Sequence, residues 1–412
     1  MKIAHVVQCY YPAIGGSEWL TQNFSEQLVA RYGDQVTVFT SNAYKPETFY
    51  RAQGPRMQPG TETLNGVHVR RFKTFNGLKS LRGLLASAAG KLHLPYNDWL
   101  RTIQNGPLIC GMSNAIAESQ ADVVFATSFP FMHMYYALAG AQKARIPIVF
   151  LGAIHVVDTW GYNRRMMFDA IQKADAYIAH TPVERDYLAA HHINPEKIHI
   201  IGGGVHADAF IHADGTEIRQ QYGWGDDPVV GVVARQSESK RLDLLLKAMP
   251  KVWAKYPQAH LLLAGAKTSY APRFEKLITD LKPEHCRQVT LINNFPETTK
   301  PQLLAACDII AHPSAKESFG IAIIEAWASD KPVIGARLGA VQAVISEGQD
   351  GLLFDYPDSN SLAQAILILL ENPAERKRMG NAGQKKVLKN YTWQIVTDRL
   401  RAVYKEVIEH HH

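Results

Sequence analysis

The chain has 412 residues, 46% of them hydrophobic and 20% charged, with a formal net charge of +6 at pH 7. This length and apolar content can fill two cores of about 200 residues each, which excludes a small domain that needs metal or disulfide support. The four cysteines, Cys9, Cys110, Cys286 and Cys307, include no CxxC pair, which argues against a zinc or disulfide framework and favours a reducing cytoplasm.

Short apolar runs alternate with helical stretches along the chain, which predicts an α/β protein with doubly wound parallel sheets. No apolar run approaches the length of a membrane span, and MKIAHVVQCYYP reads as a first strand rather than a signal peptide. The predicted strands of the first half are Ile3–Val7, Val36–Thr40, Val67–Phe72, Val123–Ala126, Ile148–Leu151, Tyr177–Ala179 and Ile198–Ile201. Those of the second half are Val229–Val233, His260–Ala264, Val289–Ile292, Ile309–His312 and Pro332–Gly335.

Two features near carboxyl ends of strands in the first half are candidates for ligand contact. Gly15 and Gly16 follow the first strand, where glycines let the backbone approach a ligand, and Ser17 is predicted to cap the next helix. An ordinary helix-entry turn is the alternative, and the pattern is not the GxGxxG of a dinucleotide site.

His155 follows a later strand, where ligands of open α/β sheets bind, so we expect it in an interdomain cleft; a structural histidine is the alternative. Asp158 is a weaker candidate beside it.

The glycine run at 202–204 is the predicted domain boundary. It separates a Rossmann-like unit over residues 1–203 from a second one over residues 204–392. A final helix is predicted over about residues 393–408, and the histidines at 410–412 resemble part of a purification tag.

Arg235 and Lys240 lie on a loop between a predicted strand and an amphipathic helix. Two cations at the carboxyl end of a strand suit the neutralisation of a diphosphate. Salt bridges on a solvated surface are the alternative. The adjacent acids Asp226 and Asp227 read as an ordinary loop, so the two cations rather than a metal ion are expected at a diphosphate.

The segment ESFGIAIIEA places Glu317 and Glu325 eight positions apart, after the predicted buried strand in DIIAHPS. A helix starting near Phe319 would present its free N–H groups to a phosphate; the residues there are Ser318, Phe319, Gly320 and Ile321. Eight helical residues separate the carboxylates by roughly 12 Å, against about 5–5.5 Å in a retaining glycosidase pair. The pair therefore fits opposite ends of a ligand with hydroxyls at both ends and phosphates between them, as in a nucleotide-sugar.

This segment resembles the E-x7-E motif of retaining glycosyltransferase family 4, the group 1 glycosyltransferases of the GT-B fold. Further landmarks in matching order extend the resemblance over almost the whole chain: IGGSEWLTQ, GAIHVVD, GGGVHADAF, ARQSESKRLDLLLKAM, LLLAG and DGLLF. The resemblance implies an acceptor-side and a donor-binding Rossmann-like domain with a cleft between them. It also implies that the final helix packs back on the first domain.

The resemblance implies retaining transfer of a sugar from a nucleotide-diphosphate-sugar, such as a UDP- or GDP-sugar, to an acceptor hydroxyl. The leaving phosphate would take the acceptor proton, so no protein base is needed. Glu317 would hold the donor sugar and Glu325 the ribose, while Arg235 and Lys240 stabilise the leaving diphosphate. By the same resemblance His155 orients the sugar, Gly16 lies beside it, and Asn294 and Phe295 contact the base.

Two segments depart from the family pattern and leave the identity of the sugar open. Residues 203–206 read Gly-Gly-Val-His where relatives usually have Asn-Gly-Val-Asp. Residues 339–343 lack the Glu of a Gly-Gly-x-x-Glu segment.

Residues 51–110 contain nine Lys or Arg against two acids, a net charge of +7, and include the leucine-rich LKSLRGLLASAAGKLHL. This composition predicts either peripheral contact with an anionic membrane, at the inner face for a cytoplasmic protein, or a solvated acceptor-side loop. No nucleic-acid motif is present.

Three functions remain open. The first is a glycosyltransferase that builds a polysaccharide, glycolipid or small glycoside without a cofactor or metal, the nucleotide-sugar being a substrate. The second is another GT-B enzyme, such as a nucleotide-sugar epimerase or a glycan phosphorylase. The third is a catalytically silent nucleotide-sugar-binding protein.

Overall fold

A computed structural model describes residues 1–13, 15–49, 54–75, 77, 79–92, 94 and 97–411. Ile14 of the IGGSEWLTQ segment, Arg51 of the basic segment and His412 of the terminal histidines lie outside the described residues. The chain divides into two compact units: Met1–Gly202 together with the final helix, and Gly203–Thr392.

The first unit is built on an eight-stranded sheet of order β3-β4-β2-β1-β5-β6-β7-β8, parallel except for the β3–β4 pair. Its strands are β1 Lys2–Val7, β2 Gln35–Ser41, β3 Gly60–Leu64, β4 Val67–Phe72, β5 Val123–Thr127, β6 Ile148–Leu151, β7 Ala176–Ala179 and β8 Ile198–Ile200. Its helices are α1 Gly16–Tyr32, α2 Lys79–Lys91, α3 Asn97–Asn105, α4 Met112–Ala117, α5 His133–Ala144, α6 Thr159–Tyr162, α7 Arg165–Gln172 and α8 Pro182–Ala190.

The second unit is built on a six-stranded parallel sheet of order β11-β10-β9-β12-β13-β14, in which Val230 lies opposite both Leu261 and Ile309. Its strands are β9 Val229–Val233, β10 His260–Gly265, β11 Val289–Asn293, β12 Ile309–His312, β13 Val333–Ala336 and β14 Gly351–Phe354. Its helices are α9 Ala207–Ile211, α10 Thr216–Tyr222, α11 Leu242–Lys255, α12 Ala271–Thr279, α13 Pro283–Cys286, α14 Lys300–Ala305, α15 Ile321–Ala328, α16 Gly339–Val344, α17 Ser359–Glu371 and α18 Pro373–Asn390.

Apolar residues cover both faces of the strands, as in parallel sheets flanked by helices. In β1, Ala4 and Val6 belong to one core cluster, whereas Ile3 and Val7 belong to another. Each cluster also contains helical residues, because successive side chains of a strand point to opposite faces of the sheet. The predicted parallel-sheet α/β class is confirmed for both units.

The final helix, α19 (Trp393–His411), packs within the first unit. The ring of Trp393 lies 4.9 Å from that of Trp19, and the Tyr404 hydroxyl lies 3.0 Å from Nε2 of His5. Both contacts join the end of the chain to the first strand and helix of the fold.

Three local features differ from the sequence-based expectations. Strand β3 was not predicted, because its residues are polar, exposed and without an apolar face; the short β14 was also missed. Gly15, not Ser17, is the N-cap of α1, and the Ser17 hydroxyl instead donates a hydrogen bond to Ser128.

Candidate active site

Glu317 lies in the loop between β12 and α15, at the carboxyl end of a central strand of the second unit. Its Oε1 lies 3.1 Å from Nε2 of His312, the last residue of β12. The same oxygen accepts a hydrogen bond from Nζ of Lys240, which comes from the loop after β9. The carboxylate is 13% exposed, so this pairing takes place in a largely desolvated position.

The surroundings of Glu317 determine its charge. Burial alone would raise the pKa of its carboxyl group, but the charge of Lys240 and the nearby His312 ring outweigh burial and hold the pKa well below 4.5. At neutral pH the side chain is therefore a carboxylate, which only accepts hydrogen bonds. It can hold hydroxyl groups of a ligand, but it has no proton to donate.

Glu325 forms a second cluster on α15. Its Oε1 lies 3.0 Å from Nζ of Lys300, which also lies 2.8 Å from Oε2 of Glu297. Burial raises the pKa of Glu325, and the charge of Lys300 offsets only part of that effect. This carboxyl group is thus easier to protonate than Glu317, and its ionised form depends on Lys300.

Sequence reasoning missed His312, Lys300 and Glu297 as neighbours of the two glutamates. His312 was visible in DIIAHPS, but nothing in that segment indicates which way its ring points. Lys300 belongs to α14, 25 positions before Glu325, and only the tertiary fold brings the two together.

The two predicted diphosphate cations differ in their surroundings. Lys240 is partly buried and is paired with Glu317. Arg235 is exposed on the same loop, two residues beyond the end of β9. An anion that approached this loop would meet the Arg235 guanidinium first, because the charge of Lys240 is already balanced by a carboxylate.

Helix α15 starts at Ile321, two residues later than the predicted start near Phe319. Its N-cap is Gly320, whose φ of 103° is in a region that favours glycine. Phe319 is 3% exposed and its ring packs 5.4 Å from that of Tyr391. The Phe319 side chain therefore belongs to the core, and only its backbone is available for the predicted ligand contact. Ser318 keeps its place in the loop between Glu317 and the helix.

Asn294 and Phe295 directly follow β11. Asn294 has a φ of 54°, and its Oδ1 accepts a hydrogen bond of 2.9 Å from the backbone N–H of Lys267. Its own N–H donates to the carbonyl of Gly265, 3.1 Å away. Asn294 thus ties together the loops that follow β10 and β11, and Phe295 is half-buried beside it.

Gly16 is the first residue of α1 in the first unit, and a Cβ built on it would have no neighbour within 4 Å. A Cβ on Gly15 would come 2.2 Å from the carboxylate of Glu18. A side chain at position 15 would therefore displace the Glu18 carboxylate, whereas open space surrounds Gly16, the predicted ligand-contacting residue.

His155 lies in the loop after β6, and its ring stacks on Tyr162 at 5.4 Å. Buried Glu184 fixes this loop, because its Oε1 accepts a hydrogen bond of 3.2 Å from the N–H of Ile154. The same carboxylate accepts from the Tyr177 hydroxyl at 2.6 Å. Asp158 accepts a hydrogen bond from the N–H of Gly161 and so caps the short α6, which is a structural role.

The second unit therefore brings Arg235, Lys240 and Glu317 to one sheet edge and places Glu325 with Lys300, while His155 and Gly16 belong to the first unit. Within the described residues, no three His, Cys, Asp or Glu side chains are grouped so that they could hold a metal ion. None of the described helices is long and apolar enough to cross a membrane.

Two family models match consecutive parts of the chain: Glycosyltransferase Family 4 over residues 14–209 and Glycosyl transferases group 1 over residues 214–386. The chain belongs to the group 1 glycosyltransferases. This confirms the family resemblance derived from the E-x7-E segment.

Two proteins that are similar to this group 1 glycosyltransferase are each named D-inositol 3-phosphate glycosyltransferase. The Nocardioides sp. protein is 24% identical over 95% of this chain and 85% of its own length. The Corynebacterium diphtheriae protein is 28% identical over 57% of this chain and 56% of its own length, so the chain spans just over half of that relative.

Solved structures agree with this assignment at the level of the fold. Anabaena HepE, crystallised in complex with UDP and glucose, has a TM-score of 0.72 at 21% identity, covering 98% of this group 1 glycosyltransferase and 100% of HepE. Sucrose-phosphate synthase from Thermosynechococcus elongatus has a TM-score of 0.73 at 19% identity, covering 100% of both chains. The GT-B fold class is thereby confirmed.

Proposed function

We propose that the protein is a retaining hexosyltransferase that uses a nucleotide-diphosphate-sugar and glycosylates a hydroxyl of a glycan, glycolipid or small molecule. The observation that carries this proposal is the Lys240–Glu317–His312 cluster at the edge of a central strand. A buried carboxylate that stays ionised is suited to accept hydrogen bonds from sugar hydroxyls rather than to transfer protons. HepE, which has the same fold, was crystallised with UDP-glucose, and this supports a nucleotide-sugar as the donor.

We assign the remaining donor contacts by chemistry. Arg235 stabilises the charge that develops on the diphosphate as the sugar leaves, with Lys240 behind it. The backbone at Ser318, Gly320 and Ile321 adds N–H groups for phosphate oxygens. Glu325 accepts hydrogen bonds from the ribose hydroxyls. Asn294 and Phe295 remain the predicted base contacts, and His155 and Gly16 the predicted contacts of the transferred sugar.

The reaction proposed for this site needs no protein base. The bond between the anomeric carbon and the diphosphate oxygen breaks, and a bond from the same face to the acceptor oxygen forms. The acceptor proton moves to the departing phosphate oxygen. This course retains the anomeric configuration and is compatible with a Glu317 that is ionised at neutral pH.

The test is a thermal-shift panel of UDP-, GDP- and ADP-sugars, followed by NMR of the product formed from the donor that binds. A bound donor raises the melting temperature by mass action. We expect a shift with one nucleotide base, release of nucleoside diphosphate when acceptor is added, and a product with the anomeric configuration of the donor.

The decisive variant is Glu317→Ala, which should reduce transfer by at least about a hundredfold, because hydrogen bonds to a charged group are lost. Glu375→Ala is the matched control, since Glu375 is a glutamate of the same unit on α18 whose side chain is 46% exposed. A fully active Glu317→Ala protein would exclude this site. Epimerised donor without acceptor, or binding without turnover, would favour an epimerase or a silent binding protein.

We also infer that the reaction needs no divalent metal or other cofactor, because Arg235 and Lys240 supply the cations that a diphosphate requires. Transfer should persist in excess EDTA, and its loss, restored by magnesium, would contradict the inference. A cytoplasmic location remains a proposal that rests on the four cysteines, none of which forms a disulfide bond. Fractionation of cells that express the protein would test it.

A further inference from the structure

The exposed apolar side chains of the protein are concentrated in one part of the first unit. Of thirteen large apolar side chains exposed among the described residues, nine lie in residues 75–99 and 157–160. Such residues are normally scattered singly over a surface, and a concentration of them marks an interaction site. Those in α2 and just after it are Leu81, Leu84, Leu85, Leu92 and Leu94, with exposed fractions between 46% and 68%.

Leu81, Leu84 and Leu85 of α2, together with Leu92 directly after it, lie on one side of the helix, its leucine face. Positions 81, 84, 85 and 92 follow the three- and four-residue spacing that aligns side chains along one side of a helix. Ala86 and Ala89 are buried against the rest of the unit, and Ala89, four residues after Leu85, lies at the border of the leucine positions. The face toward the protein is thus made of small side chains and the face toward solvent of large apolar ones, the reverse of an ordinary surface helix.

Two exposed tryptophans lie in the segments that neighbour α2. Trp160 is 66% exposed, and a Cβ on Gly90 of α2 would lie 3.4 Å from its ring. Arg101 of α3 stacks on the same ring, 3.7 Å from its centroid. Trp99, also in α3, is 45% exposed. Rings with a polar N–H suit the boundary between lipid and water.

The charge around the leucine face is net positive, because residues 73–101 contain five Lys or Arg and one acid, Asp98. Lys73 and Lys91 are exposed at its borders, within the segment of net charge +7. Asp98, an acid in this part of the sequence, accepts hydrogen bonds of 3.0 Å from the backbone N–H groups of Trp99 and Met166. A partner that covers this surface must therefore be apolar within and negative at its rim.

We propose that the leucine face of α2, with Trp99 and Trp160, docks the first unit on an anionic lipid bilayer as a peripheral, interfacial contact. The leucines enter the acyl boundary, the tryptophans lie at the headgroup level, and the lysines pair with lipid phosphates. A second protein copy would bring the same positive rim and would be repelled. The proposal does not depend on the identity of the sugar donor.

The experiment is flotation of the full chain with phosphatidylcholine vesicles that contain or lack about 30% phosphatidylglycerol. We expect binding to the anionic vesicles, at least about tenfold weaker binding to the neutral ones, and loss of the difference at about 0.5 M NaCl. Lys91→Glu should weaken binding by at least about fivefold, since each basic residue contributes about that factor.

The decisive variant is the double change Leu84→Glu and Leu85→Glu, which should abolish flotation while leaving the melting temperature and donor hydrolysis unchanged. Leu388→Glu is the matched control, because Leu388 is a leucine with 45% exposure in the second unit. Equal flotation of the double variant and the control would overturn the proposal. So would a double variant that alters the sedimentation coefficient but not flotation, because the face would then mediate self-association.

Discussion

At the scale of single residues, the charge of Glu317 depends on partners from distant parts of the chain. Lys240 is 77 positions away, whereas His312 is a near neighbour in sequence. Burial is the largest influence on the pKa of both Glu317 and Glu325, but only at Glu317 do the neighbouring groups together outweigh it. The two glutamates of the E-x7-E segment therefore differ as hydrogen-bond acceptors, because Glu325 is protonated more easily than Glu317.

The Lys240→Met variant should lose stability and part of its pH dependence. Glu317 has a folded-state pKa below its unfolded value, so it stabilises the fold above about pH 4.5, and this contribution disappears as pH falls through the lower folded-state pKa. Without Lys240 the buried carboxylate loses its main counter-charge, and we expect a loss of about 3 kcal/mol at pH 7. Urea titrations at neutral and acid pH would measure it. Lys247→Met, an exposed lysine on α11, should change stability by less than about 0.5 kcal/mol.

The Lys300→Met variant should bind nucleotide about tenfold more weakly at pH 7, because a neighbour that keeps Glu325 ionised is removed. The loss should grow as pH falls, since the pKa of Glu325 rises further in the variant. Calorimetric titration with the nucleoside diphosphate at several pH values would show this. Lys255→Met changes an exposed lysine of α11 and serves as the control. Parallel pH profiles of Lys300→Met and wild type would contradict a role of Lys300 in the charge of Glu325.

At the scale of elements, the loops after β9 and β12 carry Lys240 and Glu317 of the candidate site, and the strands fix where these loops begin. Helix α15 starts after a glycine in a left-handed conformation, which delays its first turn by two residues relative to the apolar pattern. The pattern predicts a helix there, but not its cap, because the cap depends on the backbone path out of β12.

Two glycines at loop–helix junctions should respond differently to alanine. Gly320→Ala should cost about 1–3 kcal/mol, because its φ is 103° and the new Cβ would lie 2.8 Å from Ile323. Gly16→Ala should leave stability unchanged or slightly higher, since its surroundings are open. If the transferred sugar contacts Gly16, this stable variant will nevertheless lose transfer activity. Thermal unfolding and activity of the two variants would separate these effects, and a destabilised Gly16→Ala protein would contradict the open space seen around it.

At the scale of the whole molecule, the two units differ in whether their residues are continuous in the sequence. The second is one uninterrupted segment, whereas the first is completed by α19, whose Arg401 lies 2.8 Å from the carboxylate of Asp34. The sheet of the first unit is therefore not fully covered until α19 packs against it.

The Trp393→Ala variant should destabilise the first unit by about 3–5 kcal/mol, because a buried ring packed on Trp19 and Phe24 is removed. Hydrogen exchange should show lost protection in β1 and β5, with β9 and β12 unchanged. Leu388→Ala, at an exposed position of α18, is the control. Equal loss of protection in both sheets would show instead that the chain unfolds as one cooperative body.

The sequence by itself determined the α/β class, twelve of the fourteen described strands and the family, because alternating apolar runs and the E-x7-E spacing are local patterns. It also placed Glu317, Arg235 and Lys240 in loops next to buried strands and Glu325 on the helix that follows Glu317. Only the tertiary structure decided that Lys240 pairs with Glu317, that Lys300 pairs with Glu325 and that Phe319 is buried in the core. These outcomes depend on which loops meet at a sheet edge, and strand order is set by packing over the whole unit rather than by any one segment.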